Sequence, residues 1–504
     1  MRTICAALLL ISYLGEPSIA AEDTTGGRAR MLVLADMGNE PDEEQQIVHL
    51  VACCNEFDVE GLIAVTGKYL HPGSPTAYRQ RLHPELFHQI IDAYEKAFPN
   101  LKKHADGWAD PDHLRSVVAS GQTGYGIEDT GPGKSTAGSK RIIDAVTKDD
   151  PRPLWVVVNA GSNTLAQALI DYRASHTAAE VADFVSRLRV FENGAQDNSG
   201  AWICAEFPDI HWIRSNYQTY AYGGPGGDGK KDNRGSRQSL GPYTWKPYEY
   251  SGLGQHHWAL DHIKSDNGPL GVAWPLRQFS GGRLSFLEGG GTVPWLGLVN
   301  KGLFSIDHVN WGGWSGRFDP QKTSNDWSKH RSVRDDEQTG RPFKVYAEAE
   351  DHWIDPETGE DFSGIFAPVW RFRRATWNDF AARLDWCVRS YDQANHHPVA
   401  AIGDDAGDAI LFRSGTAGEP LSLDATKSTD PDGDQLRFRW WFYPEAGTYT
   451  GELPAIRNGE TATPSFNVPQ DANGQTIHLV LEITDTGRPY PLTDYRRIVI
   501  RVGT

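Results

Sequence analysis

The chain has 504 residues, a length typical of roughly two to four domains. Its formal net charge of −17 excludes a nucleic-acid polymer as the main partner, because binding a polyanion requires clustered Lys and Arg. Five cysteines are too few for a disulfide-built scaffold, whereas 17 tryptophans and 18 tyrosines suit a protein that handles sugars.

The first twenty residues have the pattern of a secretory signal. Arg2 precedes an apolar stretch from Ile4 to Leu14, and Ser18-Ile-Ala20 offers a cleavage site. We therefore expect residues 1–20 to be removed and the protein to be secreted or periplasmic. Later segments fall short of the roughly 18 apolar residues of a membrane helix, so no membrane span is expected.

From about Arg30 to Phe191, apolar runs alternate with amphipathic stretches, which predicts a doubly wound, mainly parallel α/β sheet. Cys53 and Cys54 lie in an apolar helical pattern and are interpreted as core thiols, with a bridge as the alternative. Ser162 or Asn163 is expected to cap a helix. The predicted strands are Met31–Leu34, Val59–Val65, Leu154–Val158 and Leu188–Glu192, and the predicted helices are Glu43–Cys54, Arg79–Phe98, Ser139–Lys148 and Thr164–Tyr172.

The second half of the chain changes character twice. Residues 193–375 are rich in Gly, Trp, Asn and Pro and predict binding loops more than regular structure. Thr376–Asn395 regains helical spacing, and from Pro398 onward short alternating strands predict an immunoglobulin-like sandwich. The predicted domains are thus an α/β domain over residues 28–397 and an all-β sandwich over residues 398–504.

The most informative run extends from Met31 to Glu44, where an apolar strand opens into a turn crowded with acids. In open α/β sheets, ligands bind at the carboxyl ends of the strands, which is where this turn is expected. Crowded carboxylates repel one another unless a cation lies among them, and Ca²⁺ prefers such oxygen ligands. The alternative is a set of acids that favour the helix dipole. The acids are Asp36, Glu40, Asp42, Glu43 and Glu44.

Together with residues 55–63, this run resembles the opening of nucleoside hydrolases, and more closely an exported, cellulose-binding, nucleoside-hydrolase-like branch. In that superfamily, Asp-x-Asp-x-Gly-x-Asp-Asp holds a calcium ion and the attacking water. Asp36 and Gly38 match the middle of the motif, and Asp42 and Glu43 stand for its closing pair after two extra residues. Leu34 replaces the first Asp. Glu40 is an alternative candidate for one of the acidic positions of the motif. Asn39 is a further substrate-binding candidate.

Three later segments are similar to other parts of the superfamily site. The first, residues 154–166, matches a turn that supplies Asn163, unless that residue is only part of a helix cap. The second, residues 191–202, supplies sugar-binding candidates, unless it is a solvated loop. The third, residues 304–318, supplies a late acid, a histidine and two aromatic faces, unless it is a packed aromatic loop. The candidates from the last two segments are Gln196, Asp197, Asn198, Asp307, His308, Trp311 and Trp314.

The C-terminal segment Asp424–Asp434 is similar to an acidic loop of polycystic-kidney-disease-type sandwiches. Such acids are most often turn formers, and calcium binding is the less favoured alternative. No Gly-x-Ser-x-Gly elbow, phosphate loop or His-Glu-x-x-His motif occurs in the sequence, which weakens serine-hydrolase, nucleotide-binding and zinc-protease interpretations.

The resemblance implies a calcium-assisted hydrolase of glycosidic bonds, of the N-glycosyl kind if it extends to substrate. Asp36 would accept the proton of the attacking water, and His308 is the nearest candidate for the leaving-group acid. Asp36, Asp42, Glu43 and Asp307 would hold Ca²⁺. The alternatives are a non-catalytic protein that binds a polysaccharide such as cellulose, and a hydrolase of O-glycosides or oligosaccharides. The ligand is thus a small glycoside or a polysaccharide, and the sequence is compatible with a homo-oligomer.

Overall fold

The structure is a computed structural model that describes residues 27–215, 218–219, 221, 259–275, 290–303, 308–323, 343–357, 359 and 361–503. Eight strands form the main sheet, and every strand pair in it is parallel except the last. The strands are β1 (Ala29–Ala35), β2 (Phe57–Ala64), β3 (Val118–Ser120), β4 (Leu154–Val158), β5 (Leu188–Asn193), β6 (His211–Ser215), β7 (Phe318–Thr323) and β8 (Phe343–Glu348). Their order across the sheet is β3-β2-β1-β4-β5-β6-β8-β7.

Helices cover both faces of this sheet. Successive residues of β1 alternate between two apolar cores, with Met31 and Val33 in one and Leu32 and Leu34 in the other, as a strand buried on both faces requires. The helices are α1 (Pro41–Ala52), α2 (Glu85–Leu101), α3 (Pro111–Ser116), α4 (Ala137–Thr147), α5 (Asn163–Ser175), α6 (Ala178–Ser186), α7 (Ser199–Glu206), α8 (Gly268–Ala273), α9 (Val293–Leu296), α10 (Ala367–Trp370) and α11 (Arg373–Trp386), with a π-helix at Leu260–Lys264.

Two local predictions were wrong. The helix predicted from Arg79 begins only at Glu85, after a separate 3₁₀ turn at Ala77–Gln80, because Pro84 disfavours helical backbone at His83, the residue before it. The predicted side-chain cap of α5 does not form either. Ser162 occupies the cap position but donates its hydroxyl hydrogen bond to Asp197, 3.1 Å away, instead of accepting one from the helix.

The C-terminal region is all β, as predicted. A short hairpin of β9 (Asp351–Ile354) and β10 (Asp361–Gly364) precedes α10. Two sheets follow, ordered β11-β16-β15-β13 and β12-β14, around an apolar core of their own. Their strands are β11 (Leu411–Thr416), β12 (Pro420–Ser422), β13 (Arg437–Phe442), β14 (Ser465–Asn467), β15 (Thr476–Thr484) and β16 (Thr493–Gly503). The predicted fold, a mainly parallel α/β sheet followed by a sandwich-like β region, is confirmed.

Buried polar contacts join the two regions. The Arg497 guanidinium on β16 donates to the carbonyls of Leu303 and Gly312, at 3.1 and 2.6 Å. The Tyr443 hydroxyl donates to Asp351 over 2.7 Å. Both Arg497 and Tyr443 are fully buried, so water does not compete for these bonds.

Three smaller predictions also concern the described part of the chain. Cys53 and Cys54 are buried free thiols in the core, as interpreted from the sequence. The C-terminal acids form turns: the Asp430 carboxylate accepts the backbone amides of Asp432 and Asp434. Among the described residues, no helix is both long and apolar enough to cross a bilayer.

Candidate functional site

The candidate site lies at the carboxyl edge of the main sheet. Asp36 follows the last residue of β1, and Asn159 follows the last residue of β4, the neighbouring strand. The backbone amide of Asn159 donates to the Leu34 carbonyl over 2.9 Å, so the pairing of β4 with β1 continues to the edge of the sheet. Gly67 comes shortly after β2, and Gln196 shortly after β5. The polar side chains of Asp36, Asn159 and Gln196 thus follow the ends of parallel strands and lie at a single edge of the sheet.

These residues surround a shared space, and we call the group the Asp36 ring. A Cβ atom on Gly67 would lie 2.7 Å from Asp36 Oδ2 and 3.1 Å from Gln196 Oε1, so both oxygens face the space beside this glycine. The Gln196 amide group donates to the Asn159 carbonyl over 3.0 Å. Asn159 Nδ2 in turn lies 3.3 Å from the carbonyl of Gly291.

Residues of α1 complete the group, and the negative charge of Asp36 acts on Glu43. A Cβ atom on Gly291 would lie 2.8 Å from Asn159 Nδ2 and 3.2 Å from the Gln46 amide carbon. Gln46 Nε2 donates to the Glu43 carboxylate over 3.0 Å, and Trp295 Nε1 fixes Gln46 by donating to its Oε1 over 3.1 Å. The Asp36 ring therefore consists of Asp36, Glu43, Gln46, Asn159 and Gln196, with Gly67 and Gly291 leaving room between them.

Several buried oxygens around this ring have no hydrogen-bond partner within the part of the chain that the structure describes. Native proteins rarely leave buried polar atoms unpaired, so such a cluster is typical of a site that binds a ligand, an ion or water. All of them are acceptors, the atoms that a hard cation such as Ca²⁺ takes as ligands. The atoms are Asp36 Oδ2, Asn39 Oδ1, Glu44 Oε2, Asn159 Oδ1, Asn163 Oδ1 and Gln196 Oε1.

The charges of the acidic turn point the same way. Burial raises the pKa of the Asp36 carboxyl well above its usual range, and the negative charges of Asp42 and Glu40 raise it further. Burial and the charge of Asp36 likewise raise the pKa of Glu43, and burial raises the pKa of Glu44 to about 7. Two buried carboxylates repel each other, and a cation bound between them would remove this repulsion. The residues present therefore fit Ca²⁺.

Leu34 shows how this chain differs from the superfamily motif. Its side chain is fully buried in the apolar core, so it supplies no ligand in place of the missing first Asp. The Gln196 amide oxygen and Asp36 Oδ2 instead face the same space beside Gly67. Ca²⁺ accepts amide and carboxylate oxygens alike, so Gln196 can supply an oxygen ligand without adding negative charge.

The residues predicted from the opening turn differ in exposure. Asp36 is 1 % exposed and Glu43 is buried, whereas Asp42 is partly exposed in the first turn of α1. Asn39 is buried, and its backbone carbonyl accepts a hydrogen bond from Arg79. The structure therefore places Asp36, Glu43 and Asn39 inward and leaves Asp42 at the margin.

Of the polar residues predicted to bind sugar, only Gln196 belongs to the Asp36 ring. Asp197 is buried and accepts hydrogen bonds from Ser162 and from the amides of Asn163 and Ser199, so it fixes the start of α5. Asn198 binds the backbone of Ile127 and the carboxylate of Glu128. The Asn163 amide group donates to the Gly124 carbonyl over 2.9 Å. These contacts hold the loops that surround the ring.

The aromatic segment near residue 311 packs against the C-terminal region. The rings of His308 and Trp311 stack with centroids 3.7 Å apart, and Trp311 meets His478 of β15 edge-on at 4.7 Å. Trp314 is 2 % exposed. These contacts give the tryptophans a packing role at the junction of the two regions. A catalytic role for His308 stays a prediction, and Asp307 lies outside the described residues.

Sequence reasoning missed Gln46, Asn159, Gly67 and Gly291. A usable signal existed for Asn159, which directly follows a buried parallel strand as Asp36 does. Gln46 lies in the middle of α1, where a glutamine is ordinary. The two glycines become informative only through the distances to their spatial neighbours.

A second group of residues has side chains of the kinds that bind metals. Ligand atoms of His49, Cys53 and Asp379 lie within 4.8 Å of one another. Asp379 is already paired, since it accepts hydrogen bonds from Arg383 at 2.9 Å and His397 at 2.7 Å. Burial raises the pKa of the Cys53 thiol, which keeps it protonated and a poor ligand. This group is an ion-pair network of the core.

Comparison with known proteins then places the chain. The model of a family described as "Cellulose-binding Sde182, nucleoside hydrolase-like domain" matches residues 30–318, more than half of the chain. The chain belongs to this family. The model described as "Cellulose-binding protein Sde0182, C-terminal domain" matches residues 420–502. Both halves of the Sde182-type architecture are therefore present.

A solved structure supports this membership in the Sde182 family. It is a nucleoside hydrolase-related hypothetical protein from Saccharophagus degradans, described as associated with carbohydrate metabolism. The two sequences are 34% identical, the match covers 94% of this chain and 100% of the other, and the TM-score is 0.76. A search of the curated proteins gives no match.

Proposed function

We propose that this protein is an exported, calcium-assisted hydrolase of glycosidic bonds, with N-glycosyl bonds as the favoured class. The proposal depends on one observation, the buried acceptor cluster of the Asp36 ring. Asp36 Oδ2 and Gln196 Oε1 face one space and have no described hydrogen-bond partner. The nucleoside-hydrolase-like family membership supports glycosidic chemistry, and the signal-like first twenty residues support export.

In this proposal, Asp36, Glu43 and the amide oxygens of Asn159 and Gln196 would hold the ion. When bound, Ca²⁺ would orient sugar hydroxyls and lower the pKa of a water molecule. Asp36 would accept the proton of the attacking water, since its carboxylate is the acid nearest to Gly67. Gln46 would hold Glu43 in place through their hydrogen bond.

The second candidate function is polysaccharide binding without catalysis. The family names carry the words "cellulose-binding", and Leu34 occupies the place of an expected acid. A site with fewer carboxylates can keep a cation and lose the reaction. Hydrolysis of O-glycosides by the same residues is the third candidate, because the Asp36 ring does not by itself select the leaving group.

One set of assays separates these functions. The purified protein is given nucleosides, soluble glycans and insoluble cellulose, each with Ca²⁺ or with a chelator. Release of free base supports the N-glycosyl proposal, release of reducing sugar supports O-glycoside hydrolysis, and retention on cellulose without turnover supports the binding role. Turnover that persists in the chelator would contradict the calcium requirement.

The variant Asp36→Asn tests the proposed base with little change in shape. It should lower turnover about 100-fold or more, as expected when a general base is removed, while the circular dichroism spectrum stays that of the wild type. The matched control is Asp183→Asn, which changes an exposed acid that pairs only with Arg187 in the described contacts. Full turnover by Asp36→Asn would exclude this residue as the base.

A further inference from the structure

A polar cleft lies between the two regions, separate from the Asp36 ring. Its volume is about 470 Å³, within the range of roughly 300–1,000 Å³ typical of small-ligand sites. Three segments line it: residues 261–267 around the π-helix, residues 385–393 at the end of α11, and residues 489–490 of the C-terminal region. Both domains must be present to form it.

The cleft presents both acceptors and donors. Asp385 is 9 % exposed, and no hydrogen bond to its carboxylate occurs within the described residues. Asn267 uses its amide nitrogen on the carbonyls of His262 and Ile263, which leaves its oxygen as an acceptor. On the donor side, Gln393 accepts from Ser390 and keeps its amide hydrogens, and the exposed Arg389 adds a guanidinium.

The walls of the cleft are held in place before any ligand binds. The Tyr490 hydroxyl lies 3.0 Å from His262 Nδ1, and the two rings meet edge-on. The Tyr490 carbonyl accepts a hydrogen bond from Asn395 over 2.9 Å, and the next carbonyl, of Pro491, accepts one from Asn378 over 2.9 Å. Such preorganisation lowers the entropic cost of binding.

Charge and polarity narrow the class of ligand. Three aspartates, Asp261, Asp266 and Asp385, line the cleft, and among its described lining residues only Arg389 supplies a guanidinium, so an anionic ligand is disfavoured. Among the described residues, apolar lining is limited to Pro489 and the Tyr490 ring, which is too little to hold an apolar peptide. Sugar hydroxyls both donate and accept, as this mixture of carboxylate, amide and guanidinium requires.

We infer that the cleft between the domains binds an uncharged oligosaccharide. This inference does not depend on catalysis at the Asp36 ring, because the two sites share no residue. It assigns to residues at the domain junction a glycan contact that the α/β domain alone would not provide.

The test uses the full chain and soluble cellohexaose, xylohexaose and mannohexaose, with binding measured by isothermal titration calorimetry. Asp385→Ala and Arg389→Ala each remove one polar group from the cleft, and Arg389 is exposed, so its variant is expected to fold. Each should weaken binding of the preferred hexasaccharide about tenfold or more, because a hydrogen bond to a charged group is lost. Thermal melts establish that each variant is folded.

The matched controls are Asp183→Ala and Arg413→Ala, two exposed residues of the same chemical types that do not line the cleft. Both should bind as the wild type does. The inference is overturned if the cleft variants bind like these controls, if only Asp36→Asn loses binding, or if the wild type binds none of the three hexasaccharides. Because the readout is binding of a soluble glycan, loss of turnover at the Asp36 ring does not affect it.

Discussion

At the scale of single residues, Asp36 combines full burial with a carboxylate oxygen that has no described hydrogen-bond partner. A buried charge is costly unless a partner compensates it. Since the nearby charges of Glu40, Asp42 and Glu44 are also negative, the turn raises that cost further. A cation bound beside Asp36 would therefore stabilise the folded protein by compensating this buried charge.

This cost predicts a specific pH dependence for Asp36→Asn without metal. Because folding raises the pKa of Asp36, the contribution of this residue to stability is fully present below the ordinary pKa of an aspartate. It is lost as the pH rises through the pKa of Asp36 in the folded protein. In a chelator, the melting temperature of Asp36→Asn should exceed that of the wild type by on the order of 2 °C at about pH 8, and by less at about pH 5. Excess Ca²⁺ should stabilise only the wild type.

Differential scanning fluorimetry over this pH range measures the effect. The exposed control Asp183→Asn should follow the wild type at every pH, with and without Ca²⁺. If Asp36→Asn and wild type melted in parallel across the pH range, the interpretation of Asp36 as an uncompensated buried acid would be wrong.

At the scale of elements, the loop after β2 determines the space inside the Asp36 ring. Gly67 is buried, and its amide donates to the Leu70 carbonyl over 2.9 Å, so the loop backbone is fixed beside Asp36. Any side chain at this position would occupy the space that Asp36 Oδ2 and Gln196 Oε1 face. The glycine is therefore required by the site and not by the turn.

The variant Gly67→Ala tests this requirement. The added methyl group would lie 2.7 Å from Asp36 Oδ2, which is closer than van der Waals contact allows, so it should displace the carboxylate and lower Ca²⁺ affinity about tenfold or more. Gly73→Ala is the control in the same loop, where the nearest atoms belong only to the flexible His71 side chain. Calcium titration calorimetry compares them, and equal affinities would contradict the proposed position of the ion.

A second element-scale prediction concerns the ion-pair network of α11, in which Arg383 also donates to the Ala52 carbonyl at the end of α1 and pairs with Glu56. Asp379 accepts hydrogen bonds from Arg383 and His397, and although burial raises its pKa, the Arg383 charge and the His397 hydrogen bond outweigh burial and hold that pKa far below the usual range. Asp379→Asn leaves Arg383 less compensated in the core and should lower the free energy of unfolding by roughly 3 kcal/mol. Urea denaturation measures this, with the exposed Asp392→Asn as control. A loss below about 0.5 kcal/mol would contradict the network's role.

These elements also show which parts of the fold and the site can be predicted from the sequence. The strand, acidic turn and helix around Asp36 could be predicted, because periodicity and local charge are encoded in adjacent residues. The role of Ser162 could not, since its hydroxyl is taken by Asp197, 35 positions away, in preference to the helix end. Gln46 and Gly67 acquire meaning only from atoms that folding brings near them. Trp311 contacts His478, a residue 167 positions later in the chain, and periodicity does not report such contacts.

At the scale of the whole molecule, the two regions share buried polar contacts as well as a cleft. Arg497 is the centre of this junction. It is fully buried, it donates to two carbonyls of the α/β domain, and its guanidinium faces the rings of Tyr443 at 5.5 Å and Trp311 at 6.0 Å. Burial without a carboxylate partner lowers its pKa to about 10, so it stays charged at neutral pH.

Arg497→Met keeps much of the stem and removes the guanidinium, so the Leu303 and Gly312 carbonyls lose their buried donor. Two hydrogen bonds from a charged group are lost, and the domain junction should weaken by roughly 3 kcal/mol. Because the junction couples the domains, calorimetry should show one transition for the wild type and two for the variant. Arg501→Met is the matched control, since Arg501 lies on the same strand but is exposed and faces only Phe412 among the described rings. A single, unshifted transition in Arg497→Met would mean that the Arg497 hydrogen bonds are not needed to couple the two domains.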